Sequence, residues 1–427
     1  MPSSSAPSGP KHAEIIAIGS ELLTPQRLDT NSLIVTEHLN RLGVEVVRKQ
    51  VIGDERERLT EGIRRAVEAS PIVILIGGLG PTEDDVTRDA AAAALGRKLA
   101  LSLEQESVLI NRFRAINRPM AKNNLRQAYL IEGADVMPNP HGSAPGQFIS
   151  TSHGALALLP GPPQELKPMV ENELVRRLRP VLPPSVIRMR TFRITGVGES
   201  DLDTLIAPVY TKYTNPVTTV LSSPGDLFVH LRAQAASEAE ADSLLREVGN
   251  PIAELLGDRV YSENAQDTLD TVVACLLRKR HANVATAESV TGGLIAARLT
   301  DAGGSSDYFV AGYVTYTDAQ KHEILGVSKE LLAQHSAVSE PVAAAMADGA
   351  RLRSGATYAL SATGYAGPSG GTEFDPVGTV YLGVAGPAGT RVVRARYGGD
   401  RYRTRTLAAQ AALDLLRKAL LKQSVGQ

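Results

Sequence analysis

Three short apolar runs, AEIIAIG (13–19), PIVILIGG (71–78) and ALALLPG (155–161), close on glycine and show no polar alternation. A strand with one face on a core alternates. An unbroken run suits a strand buried on both faces, as in a parallel sheet covered by helices. Between the first two runs, 31–42 and 56–69 carry apolar residues at helical spacing, and Thr30 is placed to cap the first of these helices. An Ala-rich helix is expected near 85–95, helical stretches through 104–130, and a helix over 164–179. Alternation of strand and helix over 12–179 reads as an α/β sandwich.

RPVLPPS (179–185) is a Pro-rich linker. Beyond it, RMRTFRITG (188–196) alternates like a strand. A helix at 199–210, strands at 217–222 and 226–235 split at Pro224-Gly225, and a helix at 237–256 complete a small α+β domain over 186–260. Its glycine turn GVGESDLD carries Glu199, Asp201 and Asp203, which would repel phosphate, so RNA binding is not expected. A second α/β pattern fills 262–427. It has a helix at 268–281, a strand NVATAES (283–289) and a helix TGGLIAARLTDA (291–302). Strands at 308–317, 357–364, 379–385 and 390–397 and a final helix at 401–422 follow. Cys275, in VVACLLRK, is expected in the core.

Composition removes several function classes. Lys plus Arg is 45 against 46 Asp plus Glu, without the basic excess of a nucleic-acid or membrane-surface binder. Tryptophan is absent, which leaves few stacking platforms for single strands. One cysteine excludes an internal disulfide and a cysteine-based zinc cluster, and points to a reducing compartment. No apolar run approaches the roughly 18 residues of a membrane span. The first eleven residues lack the features of a signal peptide and read as a disordered tail. A cytoplasmic location is expected.

The sharpest local motif is AESVTGG (287–293). A strand ends, Ser289 sits at the bend, and glycines open a helix. That geometry exposes a hydroxyl at a strand's carboxyl end, beside backbone N–H groups able to hold an oxyanion. The plain alternative is a helix cap with glycines for close packing. A nucleophilic serine needs a base. His281, His322 and His335 fall in no glycine-rich context, and the last two read as solvated helix positions. Lys321, in YTDAQK, would serve if an apolar cleft lowered its pKa; an exposed lysine on a short helix is the alternative. The glycine-rich loop SATGYAGPSGG (361–371) could cradle a phosphate or be a surface hairpin loop, and it is no Walker A motif. Arg401 and Arg405, four apart, could clamp a phosphate or form a solvated basic face.

In the first block, IGGLGPTEDD (76–85) joins a buried strand to a helix. Its glycines with Asp84 and Asp85 suit a phosphate ligand bridged by a divalent cation, or simply acids at a helix start. GSELL (19–23) with DTN (29–31), and LPGPPQE (159–165), could meet that segment at the carboxyl edge of one sheet.

From residue 12 onward the chain resembles the CinA family, the competence/damage-inducible proteins. GSELL, DTNS, GGLGPTEDD, KNNLRQA, SAPG and LLPGPPQE stand in order and resemble that family's molybdopterin-binding fold. TGVGES looks like its small KH-type domain. AESVTGG, GSS, YVTYTDAQK, HSAVSEPVA, TGYAGPSGG, PVGTVYLG and GDR resemble its nicotinamide-nucleotide amidase domain. The resemblance implies deamidation of nicotinamide mononucleotide (NMN) to nicotinate mononucleotide and ammonia, without a cofactor. Ser289 would be the nucleophile and Lys321 its base, with Thr291, Gly292 and Gly293 framing the oxyanion. Tyr316, Gly364, Gly367, Gly370, Gly371, Arg401 and Arg405 would meet the nucleotide. For the N-terminal domain it implies cleavage of ADP-ribose, with Asn31, Gly77, Gly78, Gly80 and Thr82 on the ligand and Asp84 and Asp85 on a divalent metal ion. A homodimer is implied as well. Val290 stands where the family often has cysteine, and Tyr365 and Ser369 depart from its usual loop. The competing reading is a molybdopterin- or nucleotide-binding sensor with a non-catalytic amidase-like domain.

Overall fold

The computed structural model describes residues 12–182 and 184–422; the expected tail, 1–11, lies outside them. The chain divides into two compact units, one of residues up to 188 with 233–244, the other of 189–232 with 245 onward.

The strands of the first unit are β1 (His12–Ile18), β2 (Glu45–Ile52), β3 (Ile72–Ile76), β4 (Leu99–Leu101), β5 (Tyr129–Ile131), β6 (Ala134–Met137), β7 (Gly146–Thr151) and β8 (Gly154–Leu159). β4 and β5 form a small ribbon, and the rest form one sheet in the order β2-β1-β3-β8-β7-β6. β1 runs parallel to β2 and β3, and β3 to β8. Ile72, Ile74 and Ile76 of β3 enter one core, and Val73 and Leu75 enter the core on the other face. Both faces being covered explains the unbroken apolar run. The sheet is nevertheless mixed, because β7 pairs antiparallel with β6 and with β8. The Ser152-His153 turn between β7 and β8 is too short for a parallel crossover.

The helices here are α1 (Asn31–Arg41), α2 (Arg56–Ala69), α3 (Thr87–Leu95), α4 (Leu103–Ala115), α5 (Pro163–Met169) and α6 (Val175–Leu178). Thr30 does not cap α1 with its side chain, since its own backbone is already helical. Asp29 does so instead, accepting from the Ser32 amide at 3.0 Å and from the Ser32 hydroxyl. The helical pattern expected through 104–130 stops at Ala115. Asn117 turns to a left-handed φ of 56°, and a short 3-10 turn over 122–128 leads into β5. β2 and β3 flank β1 on opposite sides, so the carboxyl ends of β1 and β3 open a crevice.

The central residues form a sheet ordered β10-β11-β9-β12 from β9 (Val186–Ile194), β10 (Val217–Ser223), β11 (Asp226–Ala235) and β12 (Val260–Ser262), with α7 (Glu199–Tyr210) and α8 (Glu238–Leu256). The C-terminal domain follows as α9 (Leu269–Lys279), β13 (Val284–Glu288), α10 (Leu294–Asp301), β14 (Phe309–Val314), α11 (Asp318–Leu325), α12 (Lys329–His335), α13 (Glu340–Ser354), β15 (Tyr358–Gly364), β16 (Thr379–Gly386), β17 (Gly389–Arg396) and α14 (Arg401–Lys422). Its sheet runs β14-β13-β15-β16-β17, with β13 parallel to both neighbours. Val273, Leu277, Leu413 and Leu416 pack on one face, and Val342, Met346 and Leu325 on the other.

Two expectations fail here. α10 begins at Leu294, not Thr291, because Gly292 and Gly293 adopt φ of 61° and 93°. Cys275 is exposed, not core. The buried stripe of α9 is Leu269, Val273, Ala274 and Leu277, and an apolar run around a helix does not reveal which side is covered. No helix among the described residues is long and apolar enough to cross a membrane.

Candidate active site

β13 is the strand at which the winding of the sheet reverses: β14 is added on one side of it and β15 on the other, all three parallel. Ser289 follows it directly and is 9% exposed. Its amide donates to the Ala362 carbonyl of β15 at 2.9 Å, and its carbonyl accepts from the Gly292 amide at 3.1 Å. The Gly292 N–H is therefore committed to the turn and does not frame an oxyanion, contrary to expectation. Among the described residues the Thr291 and Gly293 amides are not paired in this turn. Thr291 is fully buried and its hydroxyl has no partner among them either. A buried hydroxyl left so is costly unless a ligand oxygen takes it.

The sequence reading missed Glu288, the residue before the serine. Its carboxylate is 0% exposed and accepts from the Ile295 amide at 3.0 Å and the Ala296 amide at 2.8 Å. It thus satisfies two unpaired donors in the first turn of α10 and meets the positive end of that helix. The end of β13 is tied to the start of α10, and Ser289 is held in the closed loop between them. The signal was present: an acid at a strand end, seven and eight residues ahead of a helix's first turn.

Lys321 arrives from α11, which Thr317 caps by accepting from the Gln320 amide. It is 1% exposed, and its Nζ lies 3.4 Å from Ser289 Oγ and 3.4 Å from the Tyr316 carbonyl oxygen. Burial pushes its ammonium below the usual lysine range, opposed by Asp318, whose carboxylate lies 3.8 Å away and is largely exposed. The exposed-lysine alternative is excluded. His322 is not a solvated position, since its Nδ1 lies 2.9 Å from the Val327 carbonyl oxygen.

Arg401 and Arg405 hold loops in this structure and are not a free phosphate clamp. Arg405 donates from Nη2 (2.7 Å) and Nε (3.3 Å) to the Thr291 carbonyl. Arg401 donates to the Gly367 carbonyl at 3.1 Å and to the Tyr316 hydroxyl at 2.7 Å. Their helix starts beside these loops, whose carbonyls are acceptors a guanidinium satisfies readily. The glycine loop after Gly364 is closed on itself. A Cβ on Gly371 would come within 2.8 Å of the Val377 nitrogen, and one on Gly370 within 3.2 Å of the Tyr365 ring. Asp375, missed from sequence, anchors it by accepting from Tyr381 at 3.1 Å and Arg394 at 2.9 Å.

In the first unit the three expected segments do meet. Gly19, Asn31, Gly77, Gly78, Gly80 and Gly161 line one crevice of about 540 Å³. Gly77 needs its glycine, because a Cβ there would stand 2.4 Å from the Ile18 oxygen. Asn31 donates to the Gly161 carbonyl at 2.6 Å, and its own oxygen is buried without a partner among the described residues. Asp85 lines the crevice, but its carboxylate is taken up by its own loop: it accepts from the Gly80 amide at 2.8 Å, the Thr82 amide at 2.9 Å and the Thr82 hydroxyl. Thr82 is likewise engaged with Asp85. Asp84 is exposed. No group of three His, Cys, Asp or Glu side chains suited to a metal occurs among the described residues. Asp84 and Asp85 thus do not fit a resident cation, because the loop's own amides already occupy Asp85. Asp85→Ala should release the 80–82 turn and destabilise the first unit by about 1–2 kcal/mol, while Asp84→Ala stays within about 0.5 kcal/mol. Urea midpoints of the two variants read this contrast, and equal shifts would refute it.

Comparison with known proteins agrees with this organisation. Residues 14–180 match the family described as "Probable molybdopterin binding domain", 189–262 the "Damage-inducible protein CinA KH domain", and 266–420 the "CinA C-terminal domain". The chain is 57% identical over 408 residues to a CinA-like protein of Solibacter usitatus, covering 96% of this chain and 98% of that one. A CinA-like protein of Koribacter versatilis is 45% identical over 413 residues, with 96% and 100% covered. Among solved structures, the competence/damage inducible protein CihA from Agrobacterium tumefaciens is 41% identical, with 36% of this chain and 93% of that one covered and a TM-score of 0.35. Near-complete coverage at such identity, through all three matched segments, places the chain in the CinA family.

Proposed function

We propose that the C-terminal domain is a nicotinamide-nucleotide amidase that converts NMN to nicotinate mononucleotide and ammonia. The observation that carries this reading is a 1%-exposed lysine whose Nζ lies 3.4 Å from a serine Oγ at the switch point of a sheet. Such contacts are often long without substrate and tighten when it binds. Neutral Lys321 takes the Ser289 proton as Oγ attacks the carboxamide carbon. The oxyanion is met by the Thr291 and Gly293 amides and the unpartnered Thr291 hydroxyl. Lys321 returns the proton to the leaving nitrogen, ammonia departs, and an ester to Ser289 remains. Water then attacks that ester with Lys321 again as base, releasing the acid and restoring the serine.

The test is ammonia release by the full chain from NMN, with nicotinamide and NAD as comparisons. Steady release from NMN supports an amidase. Binding of NMN without turnover supports the sensor reading instead. The crevice of the first unit favours a second role, as a nucleotide-phosphate site able to take ADP-ribose. Its support is the glycine-lined wall at the carboxyl ends of β1 and β3, which lets a phosphate approach the backbone, and the unpartnered Asn31 oxygen, an acceptor suited to a ribose hydroxyl.

A further inference from the structure

Within the second unit, a cavity of about 690 Å³ lies between the central residues and the C-terminal domain. One wall is a stripe of α14 on which Arg403, Leu407, Asp414 and Lys418 recur at helical spacing. A second wall is one face of β17, where Arg391 and Val393 alternate with residues pointing away. The loops 195–199 and 222–225 close the remainder. Its volume falls within the roughly 300–1,000 Å³ typical of small-molecule sites, which favour clefts of this kind.

The charges in this cavity do not cancel. Asp414 is 6% exposed and is neutralised locally by Arg417 at 2.7 Å and Lys418 at 3.1 Å. Lys418 also meets Asp258 at 3.4 Å. The guanidiniums of Arg391 and Arg403 have no hydrogen-bond or ion-pair partner among the described residues, and Glu199 is the one acid of the lining in the same condition. Two free positive charges against one negative leave an excess of one, above a floor that includes Leu382, Val393 and Leu407. Water in such a space wets apolar surface without gain, and an apolar body releases it.

We propose that this cavity is a binding site for an amphipathic organic monoanion, its apolar body on the leucine and valine floor and its acidic group on Arg391 and Arg403. The site is separate from the Ser289 centre. Arg401 and Arg405, on the first turns of α14, reach the loops around Ser289, while Arg403 between them lines this cavity.

The chain contains no tryptophan, so Tyr397→Trp, in the cavity wall, introduces a single reporter. The probe is anilinonaphthalene sulfonate, a monoanion with an apolar body, added to the full-length protein. Saturable energy transfer from the introduced indole to the probe is expected. Arg391→Ala with Arg403→Ala on that background should weaken it about tenfold or more, since both charged donors to the probe's sulfonate are lost. Glu199→Gln should tighten it. Absence of transfer in a folded variant, or an affinity unchanged by loss of both arginines, overturns the proposal. Should Tyr397→Trp fail to fold, the probe's own fluorescence with the parent chain and with Ala411→Phe, which fills the cavity, replaces it. Equal binding by those two proteins also overturns the site. Because the readout is binding, it is independent of whether NMN is hydrolysed.

Discussion

Ser289→Ala is expected to lower kcat for ammonia release from NMN by on the order of 10³-fold or more, with Lys321→Ala losing about as much and the double variant little beyond either. The non-additivity is the diagnostic feature. A hydroxyl without its base and a base without its hydroxyl fail at the same step. Lys321→Arg should not rescue, because a guanidinium stays protonated and cannot take the serine proton. The pH profile carries the sign. Lys321 works when neutral, and burial moves its titration below the usual lysine range. Turnover should therefore rise with pH through a titration lying under the ordinary value of about 10.4. Asp318 raises that titration, so Asp318→Asn should shift it lower and increase turnover at neutral pH. NMN should still bind Ser289→Ala. Near-native turnover by that variant would make an activated water the nucleophile.

Glu288→Ala is expected to be the most damaging change at a residue that never touches substrate. Two amides of α10 would lose a charged acceptor in a fully buried place, and the domain should lose about 3 kcal/mol or more. Glu288→Gln keeps one acceptor oxygen and the shape, so it should fold and lose less. Its kcat should fall with KM nearly unchanged, because the turn that aims Ser289 loosens while the other loops stay in place. A displacement of the serine by about 1 Å can cost on the order of 10²-fold. Denaturant midpoints and steady-state constants separate the two effects. A Glu288→Gln variant with full kcat would show that the carboxylate stabilises the helix without positioning the serine.

Local rules carried the elements whose pattern is set by burial alone. The runs that became β1, β3 and β8 were readable because both faces are covered. α7 and α14 also fall at the expected residues, although only α7 buries a single stripe, Leu202 and Ile206, while the middle of α14 is buried on most sides. Segment 318–335 was harder. α11 and α12 are eight and seven residues long, too short for a periodicity to stand out. The antiparallel β6 and β7 escaped notice because strand direction lies in the turns, not in the strand residues.

At the centre of the candidate site, residue type and order in the chain singled out Ser289 and Lys321 but left a helix cap and an exposed lysine as alternatives, and it is the fold that brings the two within 3.4 Å. What each polar group bonds to was decided only by the tertiary structure. Sequence left a signal for Glu288 without showing that it joins β13 to α10, and it could not show that Asp85 is occupied by the amides of its own loop or that Arg405 is held on the Thr291 carbonyl. A carboxylate or guanidinium offers the same donors or acceptors wherever it stands. Its role depends on which unpaired backbone groups fold to within about 3 Å of it: for Asp85 and Glu288 loop closure over three to eight residues decides that, and for Arg405 the packing of α14 against a loop 114 residues away.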